Sequence, residues 1–192
     1  GNYYRSTKHD TGRAIEIYTR FLNENPDHKD AIHAKAAIVK CYLDSGAVSQ
    51  ADALVDQLKA NHQSHPDYPT VIDGLASACR KNKQYAKAVE LYQGILTLNP
   101  DANRELDAKA GMAKAYVHMD KATEVDTIVQ QLMTDHKDAE KLGYHVFQVG
   151  EEYYFKAGDG GMDKDFEQVK ADFQKAINIW QKNINMIDDP KH

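Results

Sequence analysis

The sequence predicts an all-α fold built from antiparallel helix pairs that follow one another along the chain. Two observations predict it: apolar residues recur at spacings of three and four in several segments, and the whole pattern returns every 37 residues. A composition of 42% hydrophobic and 28% charged residues, with 5 prolines, agrees with a helical globular protein.

The second helix of each pair carries the clearest repeat. A small apolar position recurs along the chain, and two larger apolar positions follow it four and seven residues later. These positions are Ala14, Ala51, Ala88 and Val125; Tyr18, Val55, Tyr92 and Val129; and Phe21, Leu58, Ile95 and Leu132. The segment from Tyr85 to Pro100 is the most regular of the four, and proline stops it because the residue before a proline avoids the helical region.

The first helices keep the same period. Their recurring positions are Ile38, Leu75 and Met112; Val39, Ala76 and Ala113; and Tyr42, Cys79 and Tyr116. Short turns at residues 44–46, 81–83 and 119–121 let the chain reverse between paired helices. Cys41 and Cys79 lie inside these apolar patterns, so we expect two buried thiols and no disulfide framework.

Proline-containing segments separate one pair from the next. In each of them an aspartate follows the proline directly: Asp27, Asp67 and Asp101. An aspartate carboxylate accepts a hydrogen bond from the free N–H groups of a first helical turn, so we expect these three residues to cap the following helices.

These residues resemble the tetratricopeptide repeat, a helix-turn-helix unit of about 34 residues. At residues 69–102 the family's signature positions hold Ala76, Tyr85, Ala88, Tyr92 and Pro100. The unit at 32–65 matches at Tyr42, Gly46 and Ala51; the unit at 106–139 matches at Tyr116 but has Val125 where the family prefers alanine. The resemblance implies a right-handed α-α superhelix, a solenoid of antiparallel helix pairs.

The period divides residues 1–192 into one repeat domain. We expect a partial repeat at 1–28, full repeats at 29–66, 67–103 and 104–139, and a last repeat at 140–190 with an insertion near 158–171. A glycine-rich loop around 158–163 precedes a final helix whose apolar spacing starts at Phe166. Both chain ends lack a polar capping helix, so we expect a fragment of a longer protein or a chain that covers its ends by self-association.

Several functions are disfavoured. Residues 101–192 carry 12 Lys and Arg against 18 Asp and Glu, whereas a nucleic-acid interface needs a basic face. No apolar run approaches the roughly 20 residues of a membrane span, so this segment should not insert directly into a membrane. The chain has no phosphate-binding glycine loop, HExxH or GxSxG, and the adjacent Glu151 and Glu152 point apart on a helix. We therefore expect no enzyme activity, catalytic residue or cofactor.

Metal binding is also disfavoured. His62 and His65 lie in a loop between repeats without the partners of a zinc site. The acidic segment 159–165 invites a calcium interpretation, but glycine and lysine occupy positions where an EF-hand loop needs an oxygen ligand and a glycine. We expect a flexible insertion and no bound metal.

The resemblance also implies a binding surface. Tetratricopeptide proteins hold an extended or helical peptide in an inner groove lined by first helices. Carried over position by position, the groove consists of His33, Ala36, Lys40, Leu43 and Asp44; Thr70, Asp73, Ser77, Arg80 and Lys81; Asp107, Ala110, Lys114, Val117 and His118; and Tyr144, Phe147, Glu151, Tyr154 and Phe155.

Two features of this surface suggest a partner. Lys40, Arg80, Lys81 and Lys114 give its middle a positive run, and its last repeat is aromatic. Aromatic residues often anchor interfaces. We hypothesise a partner peptide with an acidic stretch and one or two apolar anchors. The alternative is that the cations form a solvated face and the aromatics pack under the insertion.

One well-known subclass binds the carboxy terminus of chaperones through lysines, asparagines and an arginine. Its positions here hold Ala36, Lys40, Gly74, Asp107 and Gly111, so that clamp is absent.

The sequence thus favours a non-catalytic protein-interaction scaffold. The alternative is an oligomerisation module of a larger bacterial assembly or envelope protein, acting through uncapped ends of the repeat stack. Loops such as residues 62–68 resemble those of bacterial envelope repeat proteins that scaffold assembly machinery. The periplasm and the cytoplasm of a bacterium both stay open as compartments.

Overall fold

The computed structural model describes residues 10–158 and 166–187, and within these ranges the chain forms nine α-helices and no strand. The helices are α1 (Thr11–Glu24), α2 (Ala31–Asp44), α3 (Val48–His62), α4 (Tyr68–Lys81), α5 (Tyr85–Leu96), α6 (Ala102–His118), α7 (Ala122–Asp135), α8 (Leu142–Gly158) and α9 (Phe166–Ile187). The all-α solenoid class is confirmed. The expectations about the chain ends and about the segment 159–165 fall outside the described residues.

The helices divide into two compact units, residues 1–84 and 85–192. In the first unit, α2 packs against α1, α3 and α4. In the second unit, α6 packs against α5, α7 and α8, and α8 packs against α9. Each unit is therefore organised around a central first helix of a repeat. The repeat boundaries given above stay predictions.

The repeating positions form the core. Ala14, Ala51, Ala88 and Val125 are at most 1% exposed, and Leu58, Ile95 and Leu132 are fully buried. The small residues Val39, Ala76 and Ala113 are fully buried in the first helices, where they allow close approach of a neighbouring helix. Cys41 and Cys79 are buried thiols, as expected.

The turns inside the helix pairs repeat as well. Gly46, Lys83 and Asp120 lie 37 residues apart and have φ values of 76°, 61° and 60°. This left-handed conformation costs glycine little and costs a residue with a Cβ more. The chain therefore reverses through one left-handed residue in each of three repeats, although that residue is a glycine in only one of them.

The helix caps agree fully with one of the three predictions. Asp101 caps α6, with its carboxylate accepting from the backbone N–H of Arg104 at 2.9 Å. Asp67 occupies the N-cap position of α4, but its side chain accepts no capping hydrogen bond, and its carboxylate lies 3.1 Å from His33 Nε2 instead. The prediction for Asp27 is wrong, because α2 begins at Ala31 and its N-cap residue is Asp30. Asp27 belongs to a turn, and the helix begins four residues later.

None of the helices in the described ranges is long and apolar enough to cross a membrane.

Candidate functional site

The first unit carries a continuous cleft along α2. An apolar part of about 350 Å³ lies between α1 and α2, and its walls include Ile17, Tyr18 and Phe21. A polar part of about 300 Å³ follows between α2 and α4, and a narrower part of about 160 Å³ extends it. His33 and Ala37 border both the apolar and the first polar part, so one extended segment could follow the whole path.

Lys40 occupies the middle of this cleft. It lines both polar parts together with Gly74, which faces it from α4. A Cβ added to Gly74 would lie 3.3 Å from Lys40 Nζ, closer than most real Cβ contacts. Glycine at position 74 therefore leaves room for the lysine ammonium inside the cleft, and alanine there would require the ammonium to shift by a few tenths of an ångström.

A carboxylate with a polar neighbour marks each end of the polar part. At one end His33 Nε2 lies 3.1 Å from Asp67 Oδ2, with both side chains about half exposed. At the other end Asn82 Nδ2 donates to Asp44 Oδ1 at 3.3 Å, and the exposed Lys81 lines the same part. The cleft thus offers cations at its centre and at one end, and each end also carries a carboxylate with a polar neighbour.

The predicted surface needs two corrections. Leu43 is 4% exposed and Val117 is fully buried, so neither side chain is available to a partner. Both pack inside their own units, as does the predicted position Ala110; the predicted position Ala36 is 6% exposed and lines the first polar part of the cleft. Asp73, Ser77 and Arg80 are half-buried, and of these Ser77 lines the cleft.

In the second unit, polar residues predicted for the groove connect α6 to α8. Lys114 Nζ donates to Gln148 Oε1 at 2.9 Å, and His118 Nε2 lies 2.8 Å from Glu152 Oε2. The His118 ring also stacks on Tyr85, with 4.7 Å between centroids. These contacts hold helices together, so Lys114 and His118 have a structural role in this unit. Gln148 and Glu152, which the sequence analysis did not include, lie one α-helical turn apart on the side of α8 that meets α6.

His145 is a buried titratable group of this helix pair. It is 9% exposed, and its Nε2 lies 2.9 Å from Asp107 Oδ1. Burial lowers the pKa of the imidazole, and the charges of Lys114 and Lys141 lower it further, while Asp107 raises it. The net effect is a lowered pKa, so the folded unit favours neutral His145.

This shift predicts acid sensitivity of the second unit. A lowered pKa in the folded state means that the unfolded chain binds the proton more readily, so stability is present above the unfolded pKa of 6.5 and is lost as the pH falls below it. Between about pH 8 and about pH 5.5, we expect the free energy of unfolding to fall less in His145→Gln than in the unmodified protein. The difference should be about 1.4 kcal/mol for each unit by which the folded unit lowers the pKa of His145.

Urea denaturation at the two pH values measures the difference. His62, whose pKa is also lowered by burial and by Lys35, acts in the same direction in both proteins and cancels in the comparison. Equal losses in the variant and the unmodified protein would contradict the assignment to His145.

The aromatic residues predicted in the last repeat are exposed. Tyr144, Phe147, Tyr154 and Phe155 are between 43% and 62% exposed, and Glu151 is half-buried. Two of them have ring neighbours on α9: Trp180 stacks on Phe147 at 5.9 Å, and Phe173 meets Tyr154 at 5.5 Å. The sequence analysis included no residue of α9 in this patch, although the spacing of Phe173, Ile177, Trp180 and Ile184 was visible.

The described residues offer little for metal binding. Across residues 10–158 and 166–187, no group of three or more His, Cys, Asp or Glu side chains could hold a metal ion.

Comparison with known proteins agrees with the repeat. Residues 7–71 match the family model of the tetratricopeptide repeat, a range earlier in the chain than residues 69–102, where the signature residues are densest. No curated protein sequence is significantly similar to the chain.

Two solved structures are similar to the chain in fold. A putative kinesin light chain from Podospora anserina with nearly identical TPR-like repeats superposes with a TM-score of 0.57 at 16% identity, over 94% of this chain and 91% of that one. BtubC (BKLC) from P. vanneervenii gives 0.48 at 14% identity, over 92% and 87%. At these identities the first similarity shows a shared helical-repeat fold and nothing about partners.

Proposed function

Residues 7–71 of this chain belong to the tetratricopeptide repeat family, and from that premise we propose that the protein is a non-catalytic scaffold that binds a protein partner. Tetratricopeptide repeat proteins are generally interaction scaffolds without catalytic activity. The observation that carries the proposal further is the cleft of the first unit, where an apolar pocket continues into a polar path centred on Lys40.

The cleft suits an extended segment with two kinds of side chain. The apolar part beside Ile17, Tyr18 and Phe21 accepts an apolar anchor, because its lining is mostly carbon. Acidic side chains further along the segment reach Lys40 and Lys81, where each charge-assisted hydrogen bond adds affinity and orientation.

This arrangement changes where the apolar anchor binds. The sequence analysis assigned that role to the aromatic residues of α8, which belong to the other compact unit. The apolar pocket, the lysines and Gly74 all belong to the first unit. The proposed site is therefore complete within residues 11–84.

The charge part of the proposal predicts a specificity change. Peptides selected from a random display library against the full chain should be rich in Asp and Glu next to an apolar residue. We expect Lys40→Glu and Lys81→Glu each to weaken a selected peptide at least about 10-fold, equivalent to about 1.4 kcal/mol, measured by fluorescence polarisation. Ile17→Glu should weaken it similarly by placing a carboxylate in the apolar pocket.

Lys29→Glu is the matched control, because Lys29 is an exposed lysine of the same unit that does not line the cleft. It changes the net charge equally and should leave affinity within about two-fold. Peptides without an acidic bias, or equal effects of the Lys29 and Lys40 substitutions, would contradict the proposed site.

A further inference from the structure

Helix α9 presents an apolar stripe that its own unit covers only in part, because Trp180 packs on α8 while three other residues of the stripe are exposed. The side that packs inward consists of Asp172, Ala176, Ile179 and Asn183, each at most 8% exposed. The larger apolar residues lie on the adjacent side at spacings of four, three and four: Phe173, Ile177, Trp180 and Ile184. Phe173, Ile177 and Ile184 are 37%, 52% and 49% exposed, an unusual distribution for an amphipathic helix.

This stripe is continuous with the exposed rings of α8. Trp180 stacks on Phe147, and Tyr154 lies within ring contact of Phe173, Trp180 and Phe155 at centroid distances from 5.5 to 6.1 Å. We name this surface the aromatic face; its residues are Tyr144, Phe147, Tyr154, Phe155, Phe173, Ile177, Trp180 and Ile184.

Within the same unit, the equivalent surface one repeat earlier is covered. Ala110 and Val117 stand 37 residues before Phe147 and Tyr154, and both are fully buried where α8 packs on α6. At the aromatic face the same two positions hold rings that are 43% and 48% exposed. The two positions that are buried in α6 are therefore exposed in α8.

The area is sufficient for a dimer. With full side-chain surfaces on the order of 200 Å² each, the exposed fractions of the seven exposed residues of the aromatic face amount to roughly 700 Å² per copy. Monomeric proteins rarely expose larger contiguous apolar patches. Two such faces in full contact bury about 1,400 Å², in the lower part of the range of standard protein interfaces.

The chemistry of α9 favours pairing with itself. Beside the stripe lie uncharged amides, with Gln174 donating to Asn178 at 3.0 Å and Gln181 donating to Asn185 at 2.9 Å. Two of the three lysines of the helix are directed elsewhere: Lys175 contacts Asp172, and Lys182 donates to Asp126. The third, the exposed Lys170 one turn before Phe173, pairs with Glu167 of the same helix. In an isologous interface a residue near the two-fold axis meets the same residue of the other copy, so like charges there would repel each other. The four residues of this stripe carry no charge.

We propose that the aromatic face binds a second copy of this chain in an isologous dimer, with the α9 stripes at its centre. A charged partner would find no opposite charge on this stripe, whereas a second copy supplies a matching uncharged apolar face. The dimer is independent of the peptide cleft, which belongs to the other compact unit.

Trp180 makes the proposal directly testable, because it is the only tryptophan of the 192 residues. The mass of the full chain should rise from one copy to two in light scattering between about 1 μM and about 200 μM, a range suited to a weak interface of this size. The Trp180 emission should shift to shorter wavelength over the same range, since the face loses contact with water.

Ile177→Glu should keep the chain monomeric at every concentration and abolish the emission shift, because it places a carboxylate in the stripe. Ala171→Glu is the matched control: it adds the same charge to an exposed position of α9 away from the stripe and should dimerise like the unmodified chain. The far-ultraviolet circular dichroism of both variants shows whether the helices persist.

Three outcomes would overturn the proposal. A chain that stays monomeric at every concentration would show that the aromatic face does not bind a second copy. A doubling of mass without a change at Trp180 places the contact elsewhere on the protein. Dimerisation that survives Ile177→Glu in a folded variant excludes the stripe as its centre.

Discussion

Replacing Lys156 by methionine is expected to lower the free energy of unfolding of the second unit by about 3 kcal/mol. Lys156 is 14% exposed, donates to the carbonyl oxygen of Val117 at 3.0 Å and forms an ion pair with Asp120. Its Nζ also lies 3.9 Å from Oδ2 of Asp172, whose side chain is fully buried. Methionine keeps the aliphatic contacts of the lysine but leaves the buried carboxylate without its nearest cation on α8.

The variant series separates charge from packing. Lys175→Met removes the other lysine near Asp172. The Lys175 side chain is 34% exposed and its Nζ lies 3.5 Å from Asp172 Oδ1, so its loss should lower the free energy of unfolding less, because water already screens this pair. The double substitution Lys156→Met with Asp172→Asn should recover much of the loss, since neither charge remains to be desolvated. Chemical denaturation followed through Trp180 measures all three. Equal losses for Lys156→Met and Lys175→Met, or no recovery in the double variant, would contradict this account.

Replacing Gly111 by alanine is expected to destabilise the second unit by about 2 kcal/mol. A Cβ at this position in α6 would lie 2.3 Å from Cζ of Tyr92 and 2.6 Å from each Cε atom, distances that real Cβ atoms do not show. Tyr92 is itself 3% exposed, so its ring has little room to move away. The cost therefore comes from overpacking and exceeds the gain that alanine normally brings to a helix.

Gly94→Ala provides the matched control. Gly94 lies in α5 with nothing within 4 Å of its Cβ position, so alanine should raise stability by up to about 1 kcal/mol. The combination of Gly111→Ala with Tyr92→Leu should cost less than the sum of the two single changes, since the shorter side chain vacates the contested space. A stabilising Gly111→Ala would show that the ring does not pack on this glycine in solution.

A comparable contact joins α8 and α9. A Cβ on Gly150 would lie 2.3 Å from Nε1 of Trp180, which donates to the carbonyl oxygen of Phe147 at 3.1 Å. Glycines 111 and 150 thus each receive a large ring from a neighbouring helix. The sequence analysis did not anticipate the ring that contacts Gly150.

The spacing of residues was sufficient to predict the helices and most of the core. Ala51, Ala88 and Val125 are buried because a period of 37 residues returns the same side of each second helix to the same neighbours. The cap at Asp101 could also be predicted, because it depends on backbone groups within one turn of chain. Asp27 shows the limit of such local signals, since the next helix starts only at Ala31.

The surfaces depended on tertiary structure. Leu43 and Val117 occupy groove positions of the family, yet neighbouring helices bury them. Lys114 and His118 are engaged between α6 and α8 by residues 34 positions away, Gln148 and Glu152. Such pairings depend on how far one helix pair rotates against the next, and a one-dimensional period does not contain that rotation.

The two proposed binding surfaces show the same difference between what sequence spacing predicts and what tertiary packing decides. From sequence alone, Ile17 and Phe21 are apolar residues of a second helix, and Phe173 and Ile177 are the same. Packing in space makes the first two the wall of a cleft that continues to Lys40, and leaves the second two exposed on α9. The sequence by itself determined which side of each helix is apolar. The tertiary structure decided which apolar sides are covered, because burial depends on the neighbouring helix that arrives there.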